Sequence, residues 1–562
     1  MPKQSRILTV IVLIGLVVLI NYLSSFIYFR KDLTEENRYS LTGTTKALLR
    51  DLKEPATIRV FLKGDFPTEF RSLANRTQEF LTLLREAVPG KINYQFIDPQ
   101  DKVEGSKTWA DSLHNMGASP INLSVQVKAG EESKIIFPYA LIEYDGRIAL
   151  VNLFPNSKKD ITVVELNNAE ALMEYEFASN LDKLMNPERA RVAYAIGNDE
   201  PIDARTYDLR QIISSNYNFG IFDIDKQRSI PSEINVLLIV KPGKQFTEEE
   251  KLKLDQYVMR GGKLLCFIDN LHAEQDSLSF KSQLVAYDRN LNLQDILFTY
   301  GVRINPDLIM DLQCDYMPFA VGGSASSPQY EFLKWNYYPL FESRNNHTIN
   351  KNIGLVSGKF VNSMDTVEAP GITKTYLLQS SSNSRTISTP ALISPNENRN
   401  APEDALFKRK DIPAAVLLEG KFSSFYKGRI GKAMMDTLQQ FGGYKEESEN
   451  NKMIIVSDGD IILNDFSSRQ GPLPMGMNLY TVGSQFEYQF ANRDFLLNCL
   501  EYLTGKSNII QTRNKEIVLR LLNVKKVEAE KTKWQLINIV LPVLLVILAG
   551  FLFQQIRRQR FA

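Results

Sequence analysis

Two charge-free runs, one near each end, set the first constraint on this chain. ILTVIVLIGLVVLINYLSSFIYF fills Ile7 to Phe29 and LINIVLPVLLVILAGFLF fills Leu536 to Phe553. As helices they rise roughly 35 and 27 Å against a hydrocarbon core of about 30 Å, so the first can cross with some tilt and the second is short but still long enough. The first is longer than the core of a cleaved signal peptide and runs into Tyr28, Phe29, Arg30 and Lys31 without a small-residue cleavage site, so it reads as an uncleaved anchor. Trp534 precedes the second, Arg557, Arg558 and Arg560 follow it, and Pro542 is tolerable inside a membrane helix. Lys3 and Arg6 lie before the first run, so the positive-inside bias puts both tails in the cytoplasm and residues of about 31 to 533 outside it.

Between these runs lie roughly 500 residues, room for two to four domains. The 23% charged residues are too many for a multi-spanning channel. Lys plus Arg at 66 against Asp plus Glu at 65 leaves a net charge of +1, which provides no long-range field for nucleic acid. Cys266, Cys314 and Cys499 form neither a disulfide framework nor a CxxC, and with three histidines soft metal ligands are scarce. No cofactor is called for.

The intervening chain alternates strand and helix. TIRVFLKG (Thr57 to Gly64) predicts a strand, Arg71 to Gly90 an amphipathic helix stopped by Pro-Gly, and KINYQFIDP (Lys91 to Pro99) a second strand. In KIIFPYALIEYDGRIALVNLF (Lys134 to Phe154) the central Asp145-Gly146 marks a tight hairpin. This β-α-β unit with its hairpin resembles a thioredoxin-like layer over 38–165, without the CxxC that redox chemistry requires. A connecting helix occupies 166–188.

A second α/β domain is expected over 189–510. Its clearest part is Glu233 to Asn270, where a strand, a helix and a strand succeed one another. Thr247 with Glu250 three positions later is a capping-box pattern, and Gly261-Gly262 stops the helix before LLCFI. Such alternation argues for a parallel sheet. From about 311 to 410 an aromatic stretch and then Asn- and Ser-rich stretches interrupt the pattern and read as an insertion with flexible parts. Strands return at Ile412 to Phe422 and Lys452 to Ile462, a helix follows at Asn492 to Gly505, and 511–533 reads as a juxtamembrane stalk.

Asp458-Gly459-Asp460 follows the strand MIIVS, where ligands of open α/β sheets commonly sit, so Asp458 and Asp460 are candidates for holding a cation or sugar. The competing reading is a strand end and its turn; Asp269-Asn270 after LLCFI carries the same two readings. Cys266 lies inside an apolar run and reads as a core residue. Asp311, Cys314, Asp315 and His347 match no compact metal site, and His114 and His272 lack triad partners. KPGKQF lacks the full P-loop pattern, so ATP hydrolysis belongs to a partner. Tyr330, Trp335, Tyr337 and Tyr338 beside Lys334 form a candidate recognition surface for a peptide or glycan, or else a local core.

YSLTGTTKALLRDL, INYQFIDP, FPYALIEYDGR, LNNAEALMEYEFASNLDKL, PLPMGMNLYTVGSQFEYQFANRDFLLNCLEYL and WQLINIVLPVLLVILAGFLFQQIRRQR together resemble the gliding-motility-associated ABC transporter auxiliary family, the GldG family of Bacteroidetes. The resemblance covers nearly the full length. It implies a substrate-binding-like inner-membrane subunit that works with a permease and an ATPase. The central α/β part is similar to glutamine-amidotransferase-like (flavodoxin-like) domains of transport auxiliaries and ciliary transport proteins. No cysteine here sits on a Gly-flanked nucleophile elbow, so no catalytic residue carries over. The expectation is a non-catalytic extracytoplasmic subunit whose helices dock on the permease while its domains bind a ligand, an envelope protein or a glycan. An envelope hydrolase and a passive tether are the alternatives.

Overall fold

A computed structural model describes residues 39–514, apart from 65–67, 105–106, 119, 128–129, 155–162, 276–282, 325–326, 352, 395–403, 432–442 and 506–508, and also 524–561. Before residue 39 it describes only positions 12, 15, 16, 18, 19, 21, 22 and 32. The chain forms two units, Met1–Glu516 and Ile517–Ala562.

In the first unit, α1 (Gly43–Arg50) begins at Thr42, whose hydroxyl accepts the Thr45 amide and so satisfies one of the orphan N–H groups of a helix start. β1 (Ala56–Val60), α2 (Thr68–Ala87), β2 (Ile92–Phe96), β3 (Tyr139–Tyr144) and β4 (Arg147–Asn152) follow. The four strands run in the order β2-β1-β3-β4, with β1 and β2 parallel, β3 antiparallel to β1 and β4 antiparallel to β3. Asp145 and Gly146 take φ of 49° and 71°, the left-handed pair that a two-residue hairpin loop needs. The sequence reading did not anticipate the antiparallel pair Ile121–Val127 with Gly130–Ile136. Ile121, Leu123, Val125 and Val127 do alternate with polar residues, a strand signal that the reading passed over, whereas its partner GEESKII is mostly polar.

The connecting helix is α3 (Val163–Met185), whose Met173, Phe177 and Leu181 join the buried core of this sheet. Beyond it come β5 (Arg191–Ile196), α4 (Tyr207–Asn216), β6 (Asn218–Asp223), β7 (Val236–Val240), α5 (Glu248–Met259) and β8 (Lys263–Phe267). Both capping-box bonds read into Thr247 and Glu250 are present at the start of α5. After a region of small sheets that includes β9 (Cys314–Ser324) and β10 (Ser327–Phe341), the chain supplies β11 (Ile372–Gln379), β12 (Pro413–Ser423), β13 (Glu447–Val456) and α6 (Asn492–Thr504). The seven-stranded sheet has the order β6-β5-β7-β8-β13-β12-β11. Its first five strands are parallel, β12 joins β13 antiparallel, and β11 joins β12 antiparallel.

Two expectations change here. β11 lies within the stretch expected as an insertion, yet it is an edge of the main sheet. The Ser-rich stretch is also ordered where described: Ser384–Ser388 pairs with Asp307–Asp311, and Ser380, Ser381 and Ser384 are buried. Successive residues of β7 face opposite cores, Val236, Leu238 and Val240 toward α4 and α6, Leu237 and Ile239 toward α5. That two-sided burial is why this strand is an unbroken apolar run.

The second unit is a single helix, α7 (Val524–Phe561). Glu530–Gln559 is long and apolar enough to span a membrane, and its apolar side chains, such as Val546 and Phe551, are exposed. It is the one such helix among the described residues. The expected first span lies outside them except for isolated helical positions. The chain therefore has a mixed α/β, multidomain fold and, among the described residues, one helix long and apolar enough to cross a membrane.

Candidate functional site

The carboxyl ends of four adjacent parallel strands bring charged residues together. Lys241 follows β7 directly, Asp269 lies just past β8 and Asp458-Gly459-Asp460 just past β13, while Asn198 and Glu200 follow β5. The strand order reverses around β5, with β6 on one side and β7 on the other, so this is the edge where open α/β sheets form a crevice.

Lys241 is 5% exposed and organises the cluster. Its ammonium lies 2.7 Å from both oxygens of Asp460, 3.1 Å from Asp269 and 3.0 Å from Glu274. Arg289, also buried, pairs with Glu274 and donates to the Leu271 carbonyl at 2.9 Å. Lys359 approaches from the inserted region: its ammonium reaches Asp465 at 2.6 Å, and its amide donates to Asp458 at 2.8 Å. Lys241 takes φ of 45°, and a Cβ on Gly459 would stand 2.5 Å from the Lys241 Cβ. Only glycine permits that approach.

The charges follow from this packing. Burial works against the Lys241 cation, but Asp269, Asp460 and Glu274 outweigh it and hold its pKa above the usual lysine value. Burial would raise the Asp460 carboxyl, yet Lys241 and Lys359 hold it below the carboxylate norm. Asp458 is pushed well up by burial, then by Asp269 and Asp460. Its two oxygens accept the Lys359 and Asp460 amides. The arrangement neutralises carboxylates with internal lysines and ties strand ends to the inserted region. It offers neither an activated nucleophile nor a free carboxylate pair.

Thus Asp458 and Asp460 do converge, but Asp458 is fully buried in its turn and Asp460 is ion-paired. The sequence reading missed Lys241, Glu274, Arg289 and Lys359. The signal available was a lysine directly after VLLIV, where a buried parallel strand opens onto the crevice. That lysine was weighed only as part of an incomplete P-loop.

The aromatic candidates divide. Tyr330 is 63% exposed, whereas Trp335, Tyr337 and Tyr338 are at most 1% exposed. Trp335 packs 5.2 Å from Tyr337 and 5.5 Å from Phe319, and Tyr338 lies 5.7 Å from Phe360. Rings so enclosed fill the core of the inserted region and present no face to a partner.

Cys266, Cys314 and Cys499 are buried, and burial pushes the first two thiols up to about 12. Asp311 accepts from the Ser381 amide at 2.7 Å and hydroxyl at 2.5 Å, and Asp315 accepts from Asn478. His347 stacks edge-on against Tyr502, and His272 lies 4.7 Å from Tyr287. His114 sits in the last turn of the helix Trp109–Asn115. Among the described residues no group of three His, Cys, Asp or Glu side chains is placed to hold a metal.

Fold and site define an α/β protein with a helix long and apolar enough to span a membrane and a strand-end cluster of internally paired charges. Residues 189–499 match the family described as "ABC-type uncharacterized transport system", and the chain belongs to it. Residues 35–143 match a domain of unknown function. An uncharacterized protein of Borreliella burgdorferi is 21% identical over 527 residues, covering 91% of each chain. Among solved structures, the mmIFT52 N-terminal domain aligns with 56% of this chain and 97% of its own length at 13% identity and a TM-score of 0.30. An exo-beta-1,4-mannosidase from Opitutaceae bacterium strain TAV5 covers 74% of this chain and 50% of its own at 10% identity and a TM-score of 0.18.

Proposed function

We propose that this protein is the extracytoplasmic auxiliary subunit of a gliding-motility-associated ABC transporter of the GldG type, held at both ends by membrane helices with both termini in the cytoplasm. The observation that carries the reading is a family-matched body followed by an exposed apolar helix with Trp534 near its start and Arg557 and Arg558 at its end. Basic residues at a helix end favour the cytoplasmic side. The strand order β2-β1-β3-β4 supports a thioredoxin-like first layer, and the parallel order β6-β5-β7-β8-β13 supports a flavodoxin-like, amidotransferase-like second domain. The helices dock against the permease, the ATPase supplies the hydrolysis, and the body meets a ligand, envelope protein or glycan. Of the four aromatic candidates, Tyr330 has the exposure for that contact.

Detergent capture of the full chain followed by mass spectrometry is expected to recover an ABC permease and its ATPase, and their reproducible absence would overturn the reading. Protease added to intact spheroplasts should cleave between residues 31 and 533. Complete protection there contradicts the topology.

A further inference from the structure

Three consecutive residues of α3, Glu174, Tyr175 and Glu176, lie where the two ends of the first unit meet. A helix turns about 100° per residue, so neighbours on it address different partners. Glu174 faces the incoming chain: one of its oxygens accepts both the amide and the hydroxyl of Thr42, each at 2.8 Å, at the cap of α1. One turn earlier Glu170 lies 3.6 Å from Arg76, whose guanidinium also donates to the Tyr39 hydroxyl at 2.9 Å. The residues that follow the N-terminal apolar run are thus fastened to one face of α3.

The adjacent face holds the outgoing chain. After α6 a short 3-10 helix, Ile509–Asn514, is the last described segment before α7. Its Ile509 is buried in the core of the four-stranded sheet with Leu48, Leu49 and Leu181, far in sequence from the strands it covers. Arg513, 6% exposed, lays its guanidinium 4.5 Å from the Tyr175 ring centre and donates to Asn498 of α6. The Tyr175 hydroxyl donates to Glu501 of α6. Burial disfavours the Arg513 cation, but Tyr175 and then Asp494, Glu176 and Glu501 outweigh it and hold its pKa up. A buried arginine among carboxylates, an aromatic face and an amide is costly to pull out, because each partner would lose its counterpart.

We propose that α3 is a yoke that fastens the incoming and outgoing ends of the extracytoplasmic body to each other through Glu174 and Arg513, so that displacement of either end is felt at the other. In the transporter reading, this passes permease motion at one membrane helix to its counterpart and to both sheets. The yoke itself is a property of the body and stands or falls without a permease.

Coupling between two sites is reciprocal, and that sets the test. Hydrogen exchange is measured on the full chain in detergent for Thr42→Val and Arg513→Gln, with Met453 to Val456 in the central strand β13 as the control for an intact fold. Thr42→Val is expected to speed exchange not only in 43–50 but also in 509–514, on the order of tenfold, and Arg513→Gln to do the same in reverse. A change confined to the mutated end, or transmitted in one direction only, overturns the yoke. If Arg513→Gln exposes the control strand, Thr42→Val decides alone: faster exchange in 509–514 supports the yoke and unchanged exchange overturns it. Failure to capture a permease would leave these rates untouched, so the two readings fail separately.

Discussion

The ammonium of Lys241 stands 2.7 Å from each carboxylate oxygen of Asp460, so one internal cation closes a cage that Asp269 and Glu274 complete. Removing it leaves buried negative charge without its main partner. Lys241→Met is expected to cost roughly 3–5 kcal/mol, seen as a lower denaturant midpoint at unchanged slope. Lys241→Met with Asp460→Leu should recover part of that loss, because the second change removes one orphaned charge. A single variant as stable as the parent would show that the cage does not hold the crevice.

Gly459 tests the same cage sterically. A methyl there meets the Lys241 Cβ at 2.5 Å, whereas one at Gly220, on the edge strand β6, meets nothing within 4 Å. Gly459→Ala should therefore destabilise by about 1–3 kcal/mol and Gly220→Ala by no more than about 0.5 kcal/mol. Thermal unfolding of the two variants side by side measures the difference.

Glu200 predicts a pH dependence. It is 6% exposed, and burial chiefly, with Glu250 and Asp199 nearby, raises its carboxyl from 4.5 to about 7. The folded state then binds a proton between pH 4.5 and 7 that the unfolded state does not, so stability from this group is complete below 4.5 and is lost as pH rises through 7. Glu200→Gln should raise stability at pH 8 by at most about 3 kcal/mol and flatten the decline between pH 5 and 8. Glu176, also raised to about 7, keeps a residual slope of the same sign. Urea unfolding across that range reads both effects, and an unchanged slope in the variant would reject the assignment.

Trp335 and Tyr330 separate core from surface within the one aromatic strand, at 1% and 63% exposure. Trp335→Ala is expected to cost about 3–5 kcal/mol through its cavity. Tyr330→Ala should leave stability within about 0.5 kcal/mol while weakening capture of an envelope partner. Calorimetry and pull-down on the same two variants check each half.

Local rules made several elements legible. Thr247 and Glu250 declared the start of α5, and Asp145-Gly146 declared the β3–β4 turn, because caps and tight turns are set by residues a few positions apart. The apolar run of β7 announced a strand covered on both faces. The aromatic run left its side undecided, since the rings that enclose Trp335 include Phe319 on the neighbouring strand β9. Likewise Ile412 to Phe422 read as a strand, but nothing nearby in sequence told that β12 runs antiparallel to β13.

The sequence alone determined an alternation of strands and helices and an apolar C-terminal helix, because hydrophobic periodicity and helix length are written into neighbouring residues. Only the tertiary structure decided that, of the acidic pair after MIIVS, Asp460 is ion-paired from within and Asp458 is buried against backbone amides. Lys241 and Asp460 are 219 residues apart, and they meet because β7, β8 and β13 lie side by side with their carboxyl ends together. Electrostatic partnership depends on distance in space, and sheet order, which no local pattern encodes, sets that distance.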